Sequence, residues 1–373
     1  MRLSVSGGGT GGHVYPALAV ARALRDAQPD VDLSYIGGAR GLERRLVADE
    51  EVAYHQLVVR SLRSAGRDVH LLLDPMRLAA SVPQAWLLLG RLRPAALFTT
   101  GGYLALPLVM AARSRGIPTV VWEGNVIPGR ATAAVARFAT RVAVSFPPTL
   151  DAFGERGFVS GTPIRSFDHV DRRAARASFG VGDADRLLLV FGGSQAVARI
   201  TAALDSSLEG LLDDWHVLHL AGEHGMPAAL ALRSRLPESK RDRYQPIAFL
   251  TDRMADALVA ADLVLGRAGS STCAEVAALG VASILVPYPH AAGHQQANAA
   301  WLAENGAAIL VPDTQLDGAR LRAEASALRD DQLRATMASA ARRLGRPDAA
   351  KRVAEELLAL AQRRPASPAG GPA

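Results

Sequence analysis

Short apolar runs alternate with amphipathic stretches along most of the chain. Residues 3–5 form an apolar run that enters a glycine-rich turn, Gly7, Gly8, Gly9, Thr10, Gly11, Gly12, ending at His13. From about Pro16, Leu18, Val20, Ala21 and Leu24 recur at helical spacing. The same reading predicts strands at 33–36, 54–59, 97–99, 119–122 and 142–145, and a helix at 43–48. Around 159–165 a connector carrying Gly161 and Pro163 interrupts the pattern, and polar, helix-prone sequence follows. The alternation then restarts, with strands predicted at 187–191, 217–220, 244–248, 263–266 and 283–286. A helix is expected over 349–362, and the Pro-, Ala- and Gly-rich residues 365–373 are expected to be disordered.

Strands alternating with helices predict an α/β protein whose parallel sheets carry helices on both faces. The restart at the connector predicts two such units: 1–160 and 161–347, each Rossmann-like and doubly wound, facing each other across a cleft. Segment 348–364 either closes the second unit or crosses back to the first. In sheets of this kind ligands sit at the carboxyl ends of the strands, and His13, Tyr103, Glu123 and Asn125 all fall at such ends. One stretch stays open to two readings. Residues 71–89 are strongly apolar, with Arg67, Arg77, Arg91 and Arg93 nearby, but Asp74, Pro75, Arg77 and Pro83 interrupt them. They form either a crossover helix packed on the sheet or an amphipathic surface for lipid headgroups. No uninterrupted apolar run reaches the ~18 residues of a membrane span.

With 373 residues, 49% hydrophobic and 21% charged, the composition is that of a globular enzyme of about two domains. Net charge is +6, and Lys240 and Lys351 are the only lysines, so the positive charge is almost all arginine. That is either codon bias toward arginine or a preference for anionic partners such as phosphates and anionic lipid. A single cysteine, Cys273, excludes an intrachain disulfide and a cysteine-based zinc site. No signal peptide opens the chain, so a cytosolic protein is expected, with a peripheral membrane role open.

Strand, glycine turn and helix together aim backbone N–H groups and a positive helix end at an anion. The first loop lacks the Gly-Lys-Ser/Thr of a nucleoside-triphosphate loop and departs from the dinucleotide fingerprint. His13 instead sets a titratable base beside the anion site. In the second half, Arg267-Ala268-Gly269-Ser270-Ser271-Thr272-Cys273-Ala274-Glu275 follows a strand. Ser270 or Ser271 is the expected N-cap of a helix able to hold a diphosphate. Glu275 is placed to accept both hydroxyls of a ribose, or is simply a first-turn acid favoured by the helix dipole. Gln295 and Asn298 offer amides suited to sugar hydroxyls, while His290 and His294 lack acidic partners at metal spacing. Asp30/Asp32 and Asp183/Asp185 match the Asp-x-Asp string of metal-dependent sugar-nucleotide enzymes, yet lie before strands, at the wrong sheet edge. No metal or other cofactor is therefore expected, and helix N-termini with Arg165 are left to carry the charge of a departing diphosphate.

These motifs together resemble the MurG family of bacterial glycosyltransferases over roughly residues 1–360. The marks are GGTGGH followed by Val-Tyr-Pro, TGGY at Thr100, E-x-N at Glu123, G-x-P-x-R at Gly161 and GGSQ at Gly192. R-x-G-x-x-T-x-x-E at Arg267 and H-Q-x-x-N-A at His294 complete the set. The resemblance implies a GT-B fold and transfer of N-acetylglucosamine from UDP-N-acetylglucosamine to lipid I, the undecaprenyl-pyrophosphoryl-linked N-acetylmuramoyl acceptor. The product is lipid II for peptidoglycan synthesis. It implies donor contacts from Arg165, Ser194, the backbone at Leu250, Ser270, Ser271, Thr272, Glu275, Gln295 and Asn298, with Thr10, Gly11, Gly12 and Asn125 reaching across the cleft. It also implies an acceptor pyrophosphate at the N-terminal glycine loops beside Tyr103, and docking on the cytoplasmic face of the membrane through residues 71–89. No nucleic acid is implied.

The implied chemistry is a single displacement with inversion. His13 is the expected general base, since an unperturbed imidazole titrates near ~6.5; its other reading is a pyrophosphate ligand or helix cap. Glu123 is the rival base, or orients His13 or the acceptor. The chain departs from the family pattern at Trp122 and Gly124 of Trp-Glu-Gly-Asn, where the family has His-Glu-Gln-Asn. It also has Thr162 where the family has Asn, and Ala196-Val197 in place of Gly-Ala. The rival functions are another GT-B enzyme, such as a glycolipid glycosyltransferase or a UDP-N-acetylglucosamine 2-epimerase, and a non-catalytic membrane-associated scaffold.

Overall fold

The computed structural model describes residues 1–38, 43–48, 50, 52–58, 70–192, 198–250 and 253–363, and only the backbone of 70–79. The chain forms two compact units, one of Met1–Ile164 with the segment beginning at Asp348, the other Arg165–Pro347.

The first unit is built on a sheet of seven strands: β1 Arg2–Ser6, β2 Asp32–Gly38, β3 Ala53–Leu57, β4 Ala96–Thr99, β5 Thr119–Glu123, β6 Arg141–Val144 and β7 Gly157–Val159. Their order is β3-β2-β1-β4-β5-β6-β7, and every pairing is parallel. β4 and β5 are buried along their whole length and β1 from Leu3 onward, as strands covered on both faces must be. β1 lies between β2 and β4, with Ser6 opposite both Ile36 and Thr99. Sheet growth reverses there, so the loops leaving β1 and β4 open side by side at the edge where such sheets take ligands. The core joins Leu3, Val5, Val14, Leu18, Leu24 and Phe98 to Val353, Ala354, Leu357 and Ala361. The last four lie on the helix Ala349–Arg363, which therefore crosses back to the first unit.

The second unit repeats the plan with six parallel strands: β8 Leu187–Phe191, β9 His216–Leu220, β10 Tyr244–Ile247, β11 Leu263–Gly266, β12 Ala282–Leu285 and β13 Ile309–Leu310. Their order is β10-β9-β8-β11-β12-β13, with the reversal at β8. Leu188, Val190, Leu204, Trp215, Leu265, Ile284 and Leu321 sit in its core. The hydropathy pattern does not reveal β7 or β13. They are three and two residues long at sheet edges, too short to show a period.

Residues 71–89 fall within one helix, His70–Leu92, unbroken by Pro75 and Pro83. Ser81, Ala85 and Leu89, spaced one turn apart, are buried against the sheet and the helix Ala105–Ser114. Trp86 and Leu87 are instead 44% and 54% exposed. One face of the stretch therefore packs as a crossover helix, and Trp86 and Leu87 point apolar side chains outward. Among the described residues no helix is long and apolar enough to cross a membrane.

Candidate functional site

The geometry at the first sheet's ligand edge is set by backbone contact. A Cβ on Gly7 would lie 2.4 Å from the His13 carbonyl oxygen and 2.8 Å from Thr100 Oγ1, so only glycine fits. Gly9 turns the chain with φ +94, in the left-handed region that favours glycine. The helix Gly11–Ala27 then starts with Thr10 as an extended N-cap that makes no side-chain capping bond. The Thr10 carbonyl accepts the N–H groups of His13 at 3.0 Å and Val14 at 3.1 Å. His13 thus stands in the first turn, at the positive end of the helix. Its Nδ1 lies 2.8 Å from the Thr100 carbonyl oxygen, and Thr100 Oγ1 donates back to the His13 carbonyl at 3.0 Å. A carbonyl only accepts, so Nδ1 carries the proton and, in the neutral ring, Nε2 holds the basic lone pair.

Tyr103 follows the second glycine turn and is tied to a residue without an assigned role in the sequence reading. Glu43 opens the short helix Glu43–Ala48 and is wholly buried. Its Oε1 accepts the Gly9 N–H at 2.8 Å and the Tyr103 hydroxyl at 3.1 Å. Burial first, and the Glu43 charge second, push the Tyr103 phenol above its ordinary range. No local pattern in the sequence marks Glu43, whose partners come from the loops at Gly9 and Tyr103.

Glu123 ends β5 and is 2% exposed. Its Oε1 accepts the backbone N–H of Asn125 at 3.0 Å and the Asn125 side-chain amide at 2.9 Å. Its Oε2 accepts the Gly129 N–H at 2.9 Å. Both oxygens are thereby engaged by the turn they close, and Asn125 is held in place. The family departures at Trp122 and Thr162 meet nearby: Trp122 Nε1 and Thr162 Oγ1 both donate to Ser145 Oγ, at 3.1 and 2.8 Å.

In the second unit the loop after β11 opens the helix Ser270–Leu279. Gly269 is its N-cap, in an extended conformation, and no side chain caps it. The expected cap by Ser270 or Ser271 is therefore not made: the helix begins one residue earlier, and both serines become first-turn residues. Glu275, 6% exposed, accepts from Arg165 Nε at 3.0 Å. Burial pushes its carboxyl above the usual carboxylate range, and the Arg165 guanidinium opposes that rise. Asn298 is fully buried and donates through Nδ2 to the Ala268 carbonyl at 3.2 Å, bracing the β11 loop. Arg267 braces it from the other side, donating to the Val286 and Pro287 carbonyls and pairing with Asp313. Gln295, in the first turn of the helix His294–Glu304, accepts the Tyr288 N–H at 2.9 Å. Leu250 is half-buried just beyond β10. Ser194 lies outside the described residues.

The expected residues therefore gather into two sets. Thr10, Gly11, Gly12, His13 and Tyr103 share the β1/β4 edge, with Glu123 and Asn125 at the neighbouring end of β5. Arg165 touches Glu275, and Ser270, Ser271, Thr272 and Asn298 surround the β11 loop, with Gln295 beyond β12. Asp30 and Asp32 lie at the amino end of β2, and Asp183 and Asp185 precede β8, away from both sets. Among the described residues no three His, Cys, Asp or Glu side chains are grouped to hold a metal ion.

Residues 3–144 match the glycosyltransferase family 28 N-terminal domain, and residues 187–353 match the family 28 C-terminal domain. The UDP-N-acetylglucosamine–N-acetylmuramyl-(pentapeptide) pyrophosphoryl-undecaprenol N-acetylglucosamine transferase of Salinibacter ruber is 39% identical over 360 residues, covering 96% of each chain. The enzyme of the same name from a Nocardioides species is 40% identical over 371 residues, covering 96% of this chain and 98% of that one. The crystal structure of Acinetobacter baumannii MurG superposes with a TM-score of 0.76 at 30% identity, covering 96% of this chain and 99% of that one. With both of the family's domains matched in order and near-full-length relatives at this identity, the chain belongs to glycosyltransferase family 28.

Proposed function

We propose that this chain is the inverting transferase that moves N-acetylglucosamine from UDP-N-acetylglucosamine to the N-acetylmuramoyl sugar of lipid I, giving lipid II for peptidoglycan synthesis. The observation that carries the reading is that relatives named for this transfer match 96% of the chain at 39 and 40% identity. The first unit takes the acceptor, with its pyrophosphate at the glycine turns. The second unit takes the nucleotide sugar, with the diphosphate at the first turn of Ser270–Leu279 and the ribose hydroxyls on Glu275. In the reaction the acceptor's sugar hydroxyl oxygen bonds to the anomeric carbon as the bond from that carbon to the UDP phosphate oxygen breaks on the opposite face. His13 Nε2 takes the hydroxyl proton, and its Nδ1–H bond to the Thr100 carbonyl supports the imidazolium that forms. Glu123, with both oxygens committed to the 124–129 turn, serves by presenting Asn125. Arg165 and the amides of the first turn meet the charge of the departing UDP.

The enzyme acts from the cytoplasmic face of the membrane as a peripheral protein. Exposed Trp86 and Leu87, with Arg91, Arg93 and Arg115 close in sequence or contact, form its docking face. Arg115 stacks on the Trp86 ring at 3.6 Å, placing a cation beside an apolar surface, as at a headgroup boundary. The test is UDP release with a lipid I analogue, using UDP-N-acetylglucosamine and then UDP-glucose. Release that needs both the acceptor and the acetamido donor is expected. Conversion of the sugar nucleotide without acceptor, or no release at all, would end the reading.

A further inference from the structure

Glu43 is the most deeply buried acid on the acceptor side, and the reaction as written does not use it. It is fully enclosed, and one oxygen, Oε1, holds two partners from distant parts of the chain: the Gly9 N–H at 2.8 Å and the Tyr103 hydroxyl at 3.1 Å. Oε2 is buried with no hydrogen-bond partner among the described residues. Taking a carboxylate out of water is costly, and an unpaired oxygen adds to the cost. A carboxylate kept on those terms does something a neutral side chain would not do as well. A charged acceptor makes shorter and stronger hydrogen bonds than a neutral one.

The surroundings are built around it. A Cβ on Gly8 would lie 2.5 Å from Glu43 Oε1, and a Cβ on Gly9 would lie 3.0 Å from the Tyr103 ring. Two more phenols fasten the same edge: Tyr35 donates to the Gly7 carbonyl at 2.7 Å, and Tyr54 donates to the Gly38 carbonyl at 2.9 Å. Glu43 thus ties the left-handed turn at Gly9 to the loop after β4, the two loops that also clasp His13 through Thr100. The Gly9 amide is committed to Glu43, so an anion at this edge meets the first-turn amides of Gly11 and Gly12. The phenol's one proton is likewise committed, so toward a substrate Tyr103 offers only oxygen lone pairs, which suit a hydroxyl or amide N–H.

We propose that Glu43 is a positioning residue for the acceptor: it fixes the Gly9 turn and the Tyr103 hydroxyl in the arrangement the acceptor's phosphates and sugar meet. The proposal rests on the transferase reading above. It is tested in the full-length protein by acceptor KM, kcat and UDP binding for Glu43→Ala, Glu43→Gln, Tyr103→Phe and the Glu43→Ala/Tyr103→Phe double variant. Glu43→Ala raises acceptor KM by about tenfold, changes kcat by less than about threefold and leaves the UDP Kd within about twofold. Glu43→Gln keeps an acceptor oxygen and stays within about threefold of the wild-type KM. Tyr103→Phe raises KM in the same direction, and the double variant loses less than the product of the two single losses, because both remove the Glu43–Tyr103 contact. Should Glu43→Ala fail to fold, Glu43→Gln and Tyr103→Phe carry the same test. An unchanged acceptor KM in Glu43→Ala or Tyr103→Phe, equal losses in acceptor and UDP binding, or a glutamine variant as impaired as alanine would overturn the proposal. A wild-type enzyme that releases no UDP would instead remove the transferase reading itself.

Discussion

His13 owes its assigned role to one hydrogen bond. The Thr100 carbonyl fixes the Nδ1–H tautomer, so the backbone of the neighbouring strand's loop leaves the basic lone pair on Nε2. His13→Ala is expected to lower kcat by a factor of ~100 or more while UDP still binds, and His13→Gln should recover little, since an amide cannot take the proton. Turnover within a few-fold of wild type would remove His13 from the chemistry. The residue was legible in the sequence because it closes the glycine loop, and the loop's chemistry is local. Arg165 and Glu275 were legible through their motifs, although their direct pairing was not. Glu43 was not legible, because its partners lie 34 and 60 residues away and only strand order brings them together. The departures at Trp122 and Thr162 lie far apart in the sequence. In the fold they form one adjustment, since both side chains donate to the same Ser145 hydroxyl.

At the scale of elements, the alternation of apolar runs and helical spacing located eleven of the thirteen strands among the described residues, because strands buried in a parallel sheet are mostly apolar. β7 and β13 escaped since each pairs on one side only and is too short to show a pattern. The destination of the last helix was equally hidden: amphipathic spacing says that a face is buried, not against what. In the fold it lies along Gly11–Ala27, the helix that begins at the glycine loop, and Val353, Ala354 and Leu357 enter the first unit's core with no exposure. The helix that starts at the glycine loop is thus supported by sequence some 340 residues further on. Leu357→Ala should destabilise the first unit by about 3 kcal/mol, the usual cost of such a cavity. Urea unfolding measures the loss, and a UDP affinity equal to wild type separates it from damage to the second unit. A UDP affinity that falls with stability would contradict the assignment of the nucleotide to Arg165–Pro347.

The charge of the whole molecule reads differently once its arginines are placed. Net charge +6 pointed either to codon bias or to anionic partners. Many guanidinium groups are spent internally: Arg176 donates to the Ala260, Gly182 and Asp185 carbonyls, and Arg243 donates to the Leu212 and Asp213 carbonyls. These guanidinium groups tie helix ends and turns together, a task to which five donors in a fixed fork are suited. Buried His219 makes stability depend on pH. His219 is buried in the second unit, shares a 2.9 Å hydrogen bond with the Tyr244 hydroxyl and is depressed by burial to about 4. In the unfolded chain it titrates near ~6.5, so between these values the unfolded state binds more protons than the folded one. Its contribution is fully present above about pH 6.5 and is lost as pH falls toward 4. His216, also lowered by burial, acts with the same sign, whereas Glu275, raised by burial, has the opposite sign. Both remain in a His219→Gln variant, so the difference between variant and wild type isolates His219. On going from pH 7 to pH 5, wild type should lose about 2 kcal/mol more stability than His219→Gln, measured by urea unfolding at each pH. Equal losses in the two proteins would show that His219 is not held neutral in the fold.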